Sequence, residues 1–234
     1  KEDPKWEDRD RFILSKGHAG IAYAPVLCDF GYNDPEQLKT FNLTNSKMGI
    51  HLDSNKVAGV DASTGSLGHG IPIAAGTAIA ARVLGKDYYT YVVTGDGELD
   101  EGSNWEGLMT IRHYNLTNCI TIVDRNHCMI DGNTEDVMKL EPLADKFVAF
   151  GFHTIVCEGN NIVSLCKAID EAHKTKDKPT VIVADTIKGV GIKLTSGNYK
   201  WHYGAIDEEM AKVAAKDLDE YSAERIARCG KEFE

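Results

Sequence analysis

Two polar residues, Asp96 and Asn126, each come shortly after an apolar, β-branched segment typical of a buried strand. A single helical segment separates the two strands, which predicts a βαβ unit whose strands end at one edge of a sheet. Because ligands collect at that edge, both side chains are expected to face one crevice. A carboxylate, an amide oxygen and a nearby backbone carbonyl suit Mg²⁺, whose other ligands are commonly phosphate oxygens and water. Either residue alone is better explained by a generic turn or loop cap, so the hypothesis depends on their combination.

A glycine-rich stretch, Ser63–Gly70, comes directly before an alanine-rich helical segment. Backbone N–H groups in such a turn, at the start of a helix, can bind phosphate. Taken alone, the stretch is better explained by close packing of the helix. Since it precedes the strand that ends at Asp96, we expect the two elements to share a pyrophosphate group.

The composition favours a globular protein that acts on small molecules. The 234 residues carry a net charge of −10, which argues against nucleic acid or an anionic membrane as a main partner. Small anionic substrates remain possible, because basic side chains can be concentrated locally. The six cysteines form no CxxC pair, which is typical of thiols in a reducing compartment, and we expect a cytoplasmic location. No apolar run approaches about 20 residues.

Strand and helix signals alternate through the chain, which predicts an α/β protein of three layers. We expect a mostly parallel sheet with helices on both faces, formed as a single domain by residues 1–234. The segment Asp207–Cys229 carries apolar residues at helical spacing and predicts a C-terminal amphipathic helix. Its apolar positions are Met210, Val213, Ala214, Leu218, Tyr221 and Ile226.

The whole arrangement around Asp96 is more specific than any of its parts. Gly-Asp-Gly is followed by an acidic helix start, a second strand, Asp124-Arg125-Asn126 and then Ile130-Asp131-Gly132. This pattern resembles the thiamine diphosphate fingerprint of the transketolase family, and the resemblance extends from Arg11 to about Met210. It implies the thiamine-diphosphate-binding fold, and within it the diphosphate-binding domain that forms the N-terminal subunit of a split transketolase.

The resemblance also assigns roles to individual residues. It implies that Mg²⁺ is held by Asp96, Asn126 and the backbone carbonyl of Cys128. It implies that the cofactor contacts Gly65, Ser66, Leu67, His69, Gly95, Gly97, Asn126, Ile130, Lys188 and His202. It further implies catalytic roles for His18, His51 and His202, and a role at a subunit interface for Glu101, which is also a catalytic candidate.

Three loops depart from the family pattern. Met48–Leu52 stands where the family commonly has Gln-Gly-His-Pro, which changes the surroundings of His51. His69 replaces a glutamine, and His202–Ile206 carries an additional Tyr203 in place of the usual His-Gly-x-Ala-Pro. These departures keep open the alternative of a non-catalytic subunit that binds the cofactor or supports assembly.

The resemblance implies ketol transfer from a ketose phosphate to an aldose acceptor. It also implies a C-terminal partner subunit that carries the pyrimidine-binding domain and the activating glutamate, in a heterotetramer. Other thiamine diphosphate activities, such as a deoxyxylulose-phosphate synthase or a 2-oxoacid dehydrogenase component, remain as alternatives. A Rossmann dehydrogenase is disfavoured, because no G-x-G-x-x-G follows the first strand.

Overall fold

The computed structural model describes residues 3–229, and side chains up to residue 227. The strands are Arg11–Leu14 (β1), Thr90–Gly95 (β2), Cys119–Arg125 (β3), Cys128–Met129 (β4), Gly132–Asn133 (β5), His153–Glu158 (β6) and Thr180–Asp185 (β7). The α-helices are Gly20–Asp29 (α1), Gly70–Val83 (α2), Gly102–His113 (α3), Thr134–Val137 (α4), Leu143–Ala149 (α5), Ile162–Lys174 (α6) and Glu208–Cys229 (α7). Short 3-10 segments at 17–19, 35–40, 97–100 and 199–202 complete the regular structure.

Five strands form one sheet in the order β1-β2-β3-β7-β6, and every neighbouring pair is parallel. One face packs against α2, α3 and α5, through buried residues that include Ile13, Val92 and Val123. On the other face, Ile120 and Ile182 pack against α6. Strands covered on both faces read as continuous apolar runs, which is why they could be recognised from the sequence. The predicted three-layer α/β fold is confirmed.

Strand β1 was not expected from the sequence. Its four residues lie between charged and polar neighbours, and they show no alternation that would separate them from a loop. The segment becomes a strand because it pairs in parallel with β2, in the register Arg11↔Thr90 to Leu14↔Val93. Its position at the edge of the sheet places the residues that follow it at the same end as the turn after β2.

The predicted C-terminal helix is present as α7, but only part of its apolar stripe packs against the domain. Tyr221 and Leu218 lie close to Gly191, while Asp217 accepts a hydrogen bond from the backbone N–H of Lys193 (2.9 Å). Val213, Leu218 and Ile226 remain exposed, so part of the apolar face of α7 is left uncovered by the described residues. Among the described residues, no helix is long and apolar enough to cross a membrane.

Candidate cofactor site

A cavity of about 750 Å³ lies at the carboxyl ends of the strands. The parallel register brings the ends of β2, β3 and β7 together, since Gly95 pairs with Asp124 and Arg125 pairs with Asp185. The cavity gathers residues from six loops, which are the glycine-rich loop before α2 and the loops that follow β1, β2, β3, β6 and β7. Its lining includes ten residues expected from the sequence, namely His18, Gly65, Leu67, Gly95, Gly97, Asn126, Cys128, Ile130, Lys188 and His202.

Asp96 lies directly behind this lining, with only 1% of its surface exposed. Its Oδ2 accepts hydrogen bonds from the Arg125 guanidinium (3.0 Å) and the His127 N–H (2.7 Å). Its Oδ1 accepts one bond, from the Gly97 N–H (2.8 Å). Burial raises the pKa of this carboxyl, although these hydrogen bonds act in the opposite direction. Since a carboxylate oxygen has two acceptor positions, Oδ1 keeps one for a cation.

Asn126 is fixed at both ends of its amide. The Oδ1 atom accepts from the Cys128 N–H (3.1 Å), and the Nδ2 atom donates to Asp124 Oδ2 (3.0 Å). His127, which lies between Asn126 and Cys128, has a positive φ of 62°, which turns the chain sharply after β3. The side-chain oxygens of Asp96 and Asn126 are suitable ligands for Mg²⁺. Within residues 3–227, however, no three His, Cys, Asp or Glu side chains cluster as a metal site. A cation held here needs further ligands from a bound anion.

Two lysines give the cavity a positive wall. Lys16 pairs with Asp124, which also accepts a hydrogen bond from the Thr186 hydroxyl. Burial acts to raise the pKa of Asp124, but the charge of Lys16 and the hydrogen bonds from Lys16, Thr186 and Asn126 together lower it. Lys188 is half-buried, and no carboxylate in the described part of the chain forms an ion pair with it. Burial, together with the nearby Lys16, lowers the pKa of Lys188. A bound anion would offset both the burial of the Lys188 charge and its repulsion by Lys16.

His18 and His202 lie side by side in the cavity wall, with ring centroids 5.1 Å apart. Burial and the neighbouring side chains of His202, Lys16 and Lys188 lower the pKa of His18 to about 4. Burial and Lys188 also lower the pKa of His202. The Nδ1 atom of His202 is buried and has no hydrogen-bond partner among the described residues. Both rings are therefore neutral at pH 7 and able to bind a polar ligand.

The glycines of the cavity leave room where side chains would collide. A Cβ atom at Gly97 would lie 3.0 Å from Met129 Cβ, and one at Gly65 would lie 2.9 Å from the His51 ring. Gly65 also has a φ of +153°, within the range that favours glycine. This open cradle, the Lys188 ammonium group and the unpartnered His202 nitrogen all fit a cofactor with a diphosphate group.

The sequence matches a family model described as "Transketolase, thiamine diphosphate binding domain" over residues 1–223. The chain belongs to the transketolase family. Because this model describes a cofactor domain, the predicted thiamine-diphosphate-binding domain is confirmed together with the family.

Two curated relatives are themselves named as single subunits of transketolases. The chain is 40% identical over 211 residues to a named subunit of the apulose-4-phosphate transketolase of Actinobacillus succinogenes, and the match covers 90% of this chain and 76% of the relative. It is 38% identical over 221 residues to a named subunit of the 6-deoxy-6-sulfo-D-fructose transketolase of a Clostridium species, with coverage of 94% of this chain and 80% of the relative.

Solved transketolases share the fold and are much longer. The enzyme from Leishmania mexicana is 34% identical with a TM-score of 0.83, and the match covers 97% of this chain and 39% of that chain. The enzyme from Campylobacter jejuni is 31% identical with a TM-score of 0.84, covering 93% of this chain and 35% of that chain. This chain thus spans little more than a third of each solved transketolase.

Besides Asp96, four candidate residues of this transketolase domain lie outside the cavity lining. Ser66, His69 and Glu101 are exposed, and none of them lines the cavity. His69 and Glu101 stand at the N-cap positions of α2 and α3, and neither side chain makes a capping hydrogen bond. His51 is also exposed, but its ring lies against Gly65 at the cavity wall. The roles predicted for these residues stay predictions.

Sequence reasoning missed several polar residues that shape the transketolase cavity. Lys16, Glu98, Asp124 and Thr186 all line it. Three of them could have been found, because Lys16 lies two residues before His18 and because Asp124 and Thr186 lie at the ends of predicted strands. Glu98 gave no such signal, since its neighbours read as the exposed first turn of a helix.

The depressed pKa of His18 predicts a pH-dependent stability of the transketolase domain. Its pKa is about 4 in the folded chain and 6.5 ordinarily, so the unfolded chain takes up a proton first as the pH falls. The stability contributed by neutral His18 is therefore fully present above pH 6.5 and is lost between 6.5 and about 4. Thermal unfolding measured from pH 7 to pH 4 should show a falling Tm, and His18→Gln should show a smaller fall. Parallel curves for the two proteins would contradict this origin.

Proposed function

We propose that this chain is the thiamine-diphosphate-binding subunit of a two-chain transketolase that also requires Mg²⁺. The enzyme transfers a two-carbon ketol unit from an anionic ketose, such as a ketose phosphate, to an aldose acceptor. The observation that supports this most strongly is the cavity itself, which is lined by Lys188, two neutral histidines and Asn126, with Asp96 directly behind the lining. The relatives named as separate transketolase subunits support the two-chain organisation.

One set of residues would bind the metal ion and the cofactor, and another would donate hydrogen bonds to the substrate. Asp96, Asn126 and the Cys128 carbonyl would hold Mg²⁺, while Lys188 would neutralise the diphosphate. Thiamine diphosphate, when bound, supplies an electron sink for breaking a carbon–carbon bond next to a carbonyl. His18 and His202 would donate hydrogen bonds to the substrate oxygen on which negative charge develops, because both are neutral at pH 7 and one ring nitrogen then carries a proton.

We further propose that residues 1–234 form one diphosphate-binding domain and that a second chain completes the site. Ile21 of α1 lines the cavity and is exposed, and Val26 is exposed further along the same helix. A pyrimidine-binding partner seated there would exclude water from the cavity. Two copies of each chain, as a heterotetramer, are the simplest symmetric assembly. Five cysteines of the described chain are free thiols, which supports a reducing, cytoplasmic setting.

Reconstitution tests this proposal. The chain alone, supplied with thiamine diphosphate, Mg²⁺ and a ketose phosphate, is expected to show no turnover. Adding the pyrimidine-domain chain from the same genome should give ketol transfer to an aldose, with no release of CO₂. Native mass spectrometry of the mixture should show two copies of each chain. Turnover by the isolated chain would refute the two-chain organisation, and release of CO₂ from a 2-oxoacid donor would favour the dehydrogenase alternative.

A further inference from the structure

Glu98 is a buried carboxylate in the cavity wall, with 4% of its surface exposed. Four donors satisfy its two oxygens. Oε1 accepts from the Ser15 hydroxyl and from the Gly68 N–H (3.0 Å), and Oε2 accepts from the Thr94 hydroxyl (2.8 Å) and the Gly95 N–H (3.1 Å). A buried carboxylate is costly unless it is fully hydrogen-bonded. Here all four of its acceptor positions are used.

These donors belong to three segments that are far apart along the chain. Ser15 follows β1, Gly68 belongs to the glycine-rich loop, and Thr94 and Gly95 end β2. Ser15 in turn accepts a hydrogen bond from the Gly70 N–H (3.1 Å), the first residue of α2. The carboxylate therefore connects the edge strand, the loop before α2 and the turn after β2.

The connected segments form facing walls of the cavity. Gly65 and Leu67 line it from the glycine-rich loop, and Gly95 and Gly97 line it from the turn after β2. These two segments are not paired as strands, so the Glu98 side chain supplies a direct polar link between them. The packing around the link is tight, since a Cβ atom at Gly70 would lie 2.2 Å from Ser15 Oγ.

We propose that Glu98 is a positioning residue for the cofactor site. Its carboxylate holds the glycine-rich loop against the end of β2, so that backbone N–H groups on both walls keep the spacing that a diphosphate group requires. This inference rests on the proposed function, because the ligand is the diphosphate of the cofactor. Glu98 itself is not a metal ligand here, since its acceptor positions are already filled by the protein.

Glu98→Gln is the sharpest test, because it keeps the size of the side chain. A glutamine amide has one accepting oxygen and one donating nitrogen. Whichever way it is oriented, the nitrogen faces a backbone N–H, either that of Gly68 or that of Gly95. That N–H group then loses its acceptor, so the side chain no longer holds one of the two cavity walls. We expect the Kd of the assembled two-chain complex for thiamine diphosphate, measured by calorimetry with Mg²⁺, to rise about 10- to 100-fold. We expect kcat at saturating cofactor to stay within about threefold.

Asp217→Asn provides a matched control. Asp217 is also a buried carboxylate that accepts a backbone N–H, from Lys193, but it lies on α7 away from the cavity. This variant should lower Tm without changing the Kd for the cofactor. Ser15→Ala serves as a second probe if Glu98→Gln fails to fold, since it removes one donor and the acceptor of the Gly70 N–H. It should give a smaller rise in Kd, of about three- to tenfold.

The outcomes separate the two proposals. An unchanged Kd in folded Glu98→Gln, or in Ser15→Ala where that is the variant that folds, would overturn the positioning role while leaving the cofactor assignment intact. Equal rises in Kd for the cavity variants and Asp217→Asn would also overturn it, because the effect would then follow stability alone. Failure of the wild-type complex to bind thiamine diphosphate would overturn the proposed function and this inference together.

Discussion

Replacement of Asp96 by alanine is expected to weaken thiamine diphosphate binding, measured with Mg²⁺, by about 100-fold or more in the assembled enzyme. Asp96 provides the only carboxylate among the proposed metal ligands, and its Oδ1 atom has one acceptor position left for the cation. Without it, Mg²⁺ would be held by neutral oxygens and by the diphosphate alone. Calorimetry with the cofactor at a fixed Mg²⁺ concentration gives the measurement.

The same substitution also removes a partner from a buried ion pair. Arg125 is 2% exposed and also pairs with Glu135 and Glu141, so loss of the Asp96 carboxylate is expected to cost less than the about 3–5 kcal/mol of an unpaired buried charge. Asp96→Asn shows how much of each effect follows from the negative charge, because it keeps the volume and an accepting oxygen. Glu135→Gln is the control, since Glu135 pairs with the same arginine but is not a proposed metal ligand. Wild-type affinity in folded Asp96→Ala would rule out the metal assignment.

Replacement of His202 by alanine is expected to lower kcat by about 100-fold, with little change in the fold. The ring lines the cavity beside His18, and its buried Nδ1 atom has no partner in the described chain. Removing a buried polar atom that lacks a partner leaves no donor or acceptor newly unsatisfied, so we expect Tm to change by only a few degrees. Steady-state rates of the two-chain enzyme at saturating cofactor and substrate would show the loss.

Tyr203→Ala tests whether the effect belongs to the ring or to its loop. Tyr203 is 79% exposed and adjoins His202, so its removal disturbs the same segment without entering the cavity. This control should retain kcat within about threefold. If His202→Ala kept a normal kcat with every anionic ketose tested, the proton-handling role would pass to His18, whose ring lies 5.1 Å away.

The sequence could predict the loops that carry the cofactor site because their signals are local. Asp96 and Asn126 follow buried strands, and the glycines of the cavity cluster within short segments. Contacts between segments were not predictable in this way. Glu98 reads as a solvated acid at a helix start, and only the folded chain shows it surrounded by Ser15, Gly68, Thr94 and Gly95.

Sequence patterns also could not predict the direction in which a side chain points. His69 and Glu101 stand close to residues that do line the cavity, yet both side chains are exposed. The turns that precede α2 and α3 decide which way these side chains point, and such turns depend on backbone angles that glycine-rich sequence leaves open. Strand β1 was missed for a related reason, because pairing with β2 rather than its own pattern makes it a strand.

The parallel pairing of β3 with β7 also constrains when this cavity can exist during folding. Ile120 pairs with Thr180, although a β-hairpin, two helices, a strand and a third helix lie between them in the chain. Contacts of such high sequence separation close late, because the entropy of a long loop is lost before the contact is gained. A nascent chain that has emerged only as far as β6 therefore has the loop of Asn126 after β3 but lacks Lys188 and His202. The binding site for the cofactor is complete only once the chain has emerged as far as His202, so the cofactor can stabilise the folded domain but cannot guide the early stages of its folding.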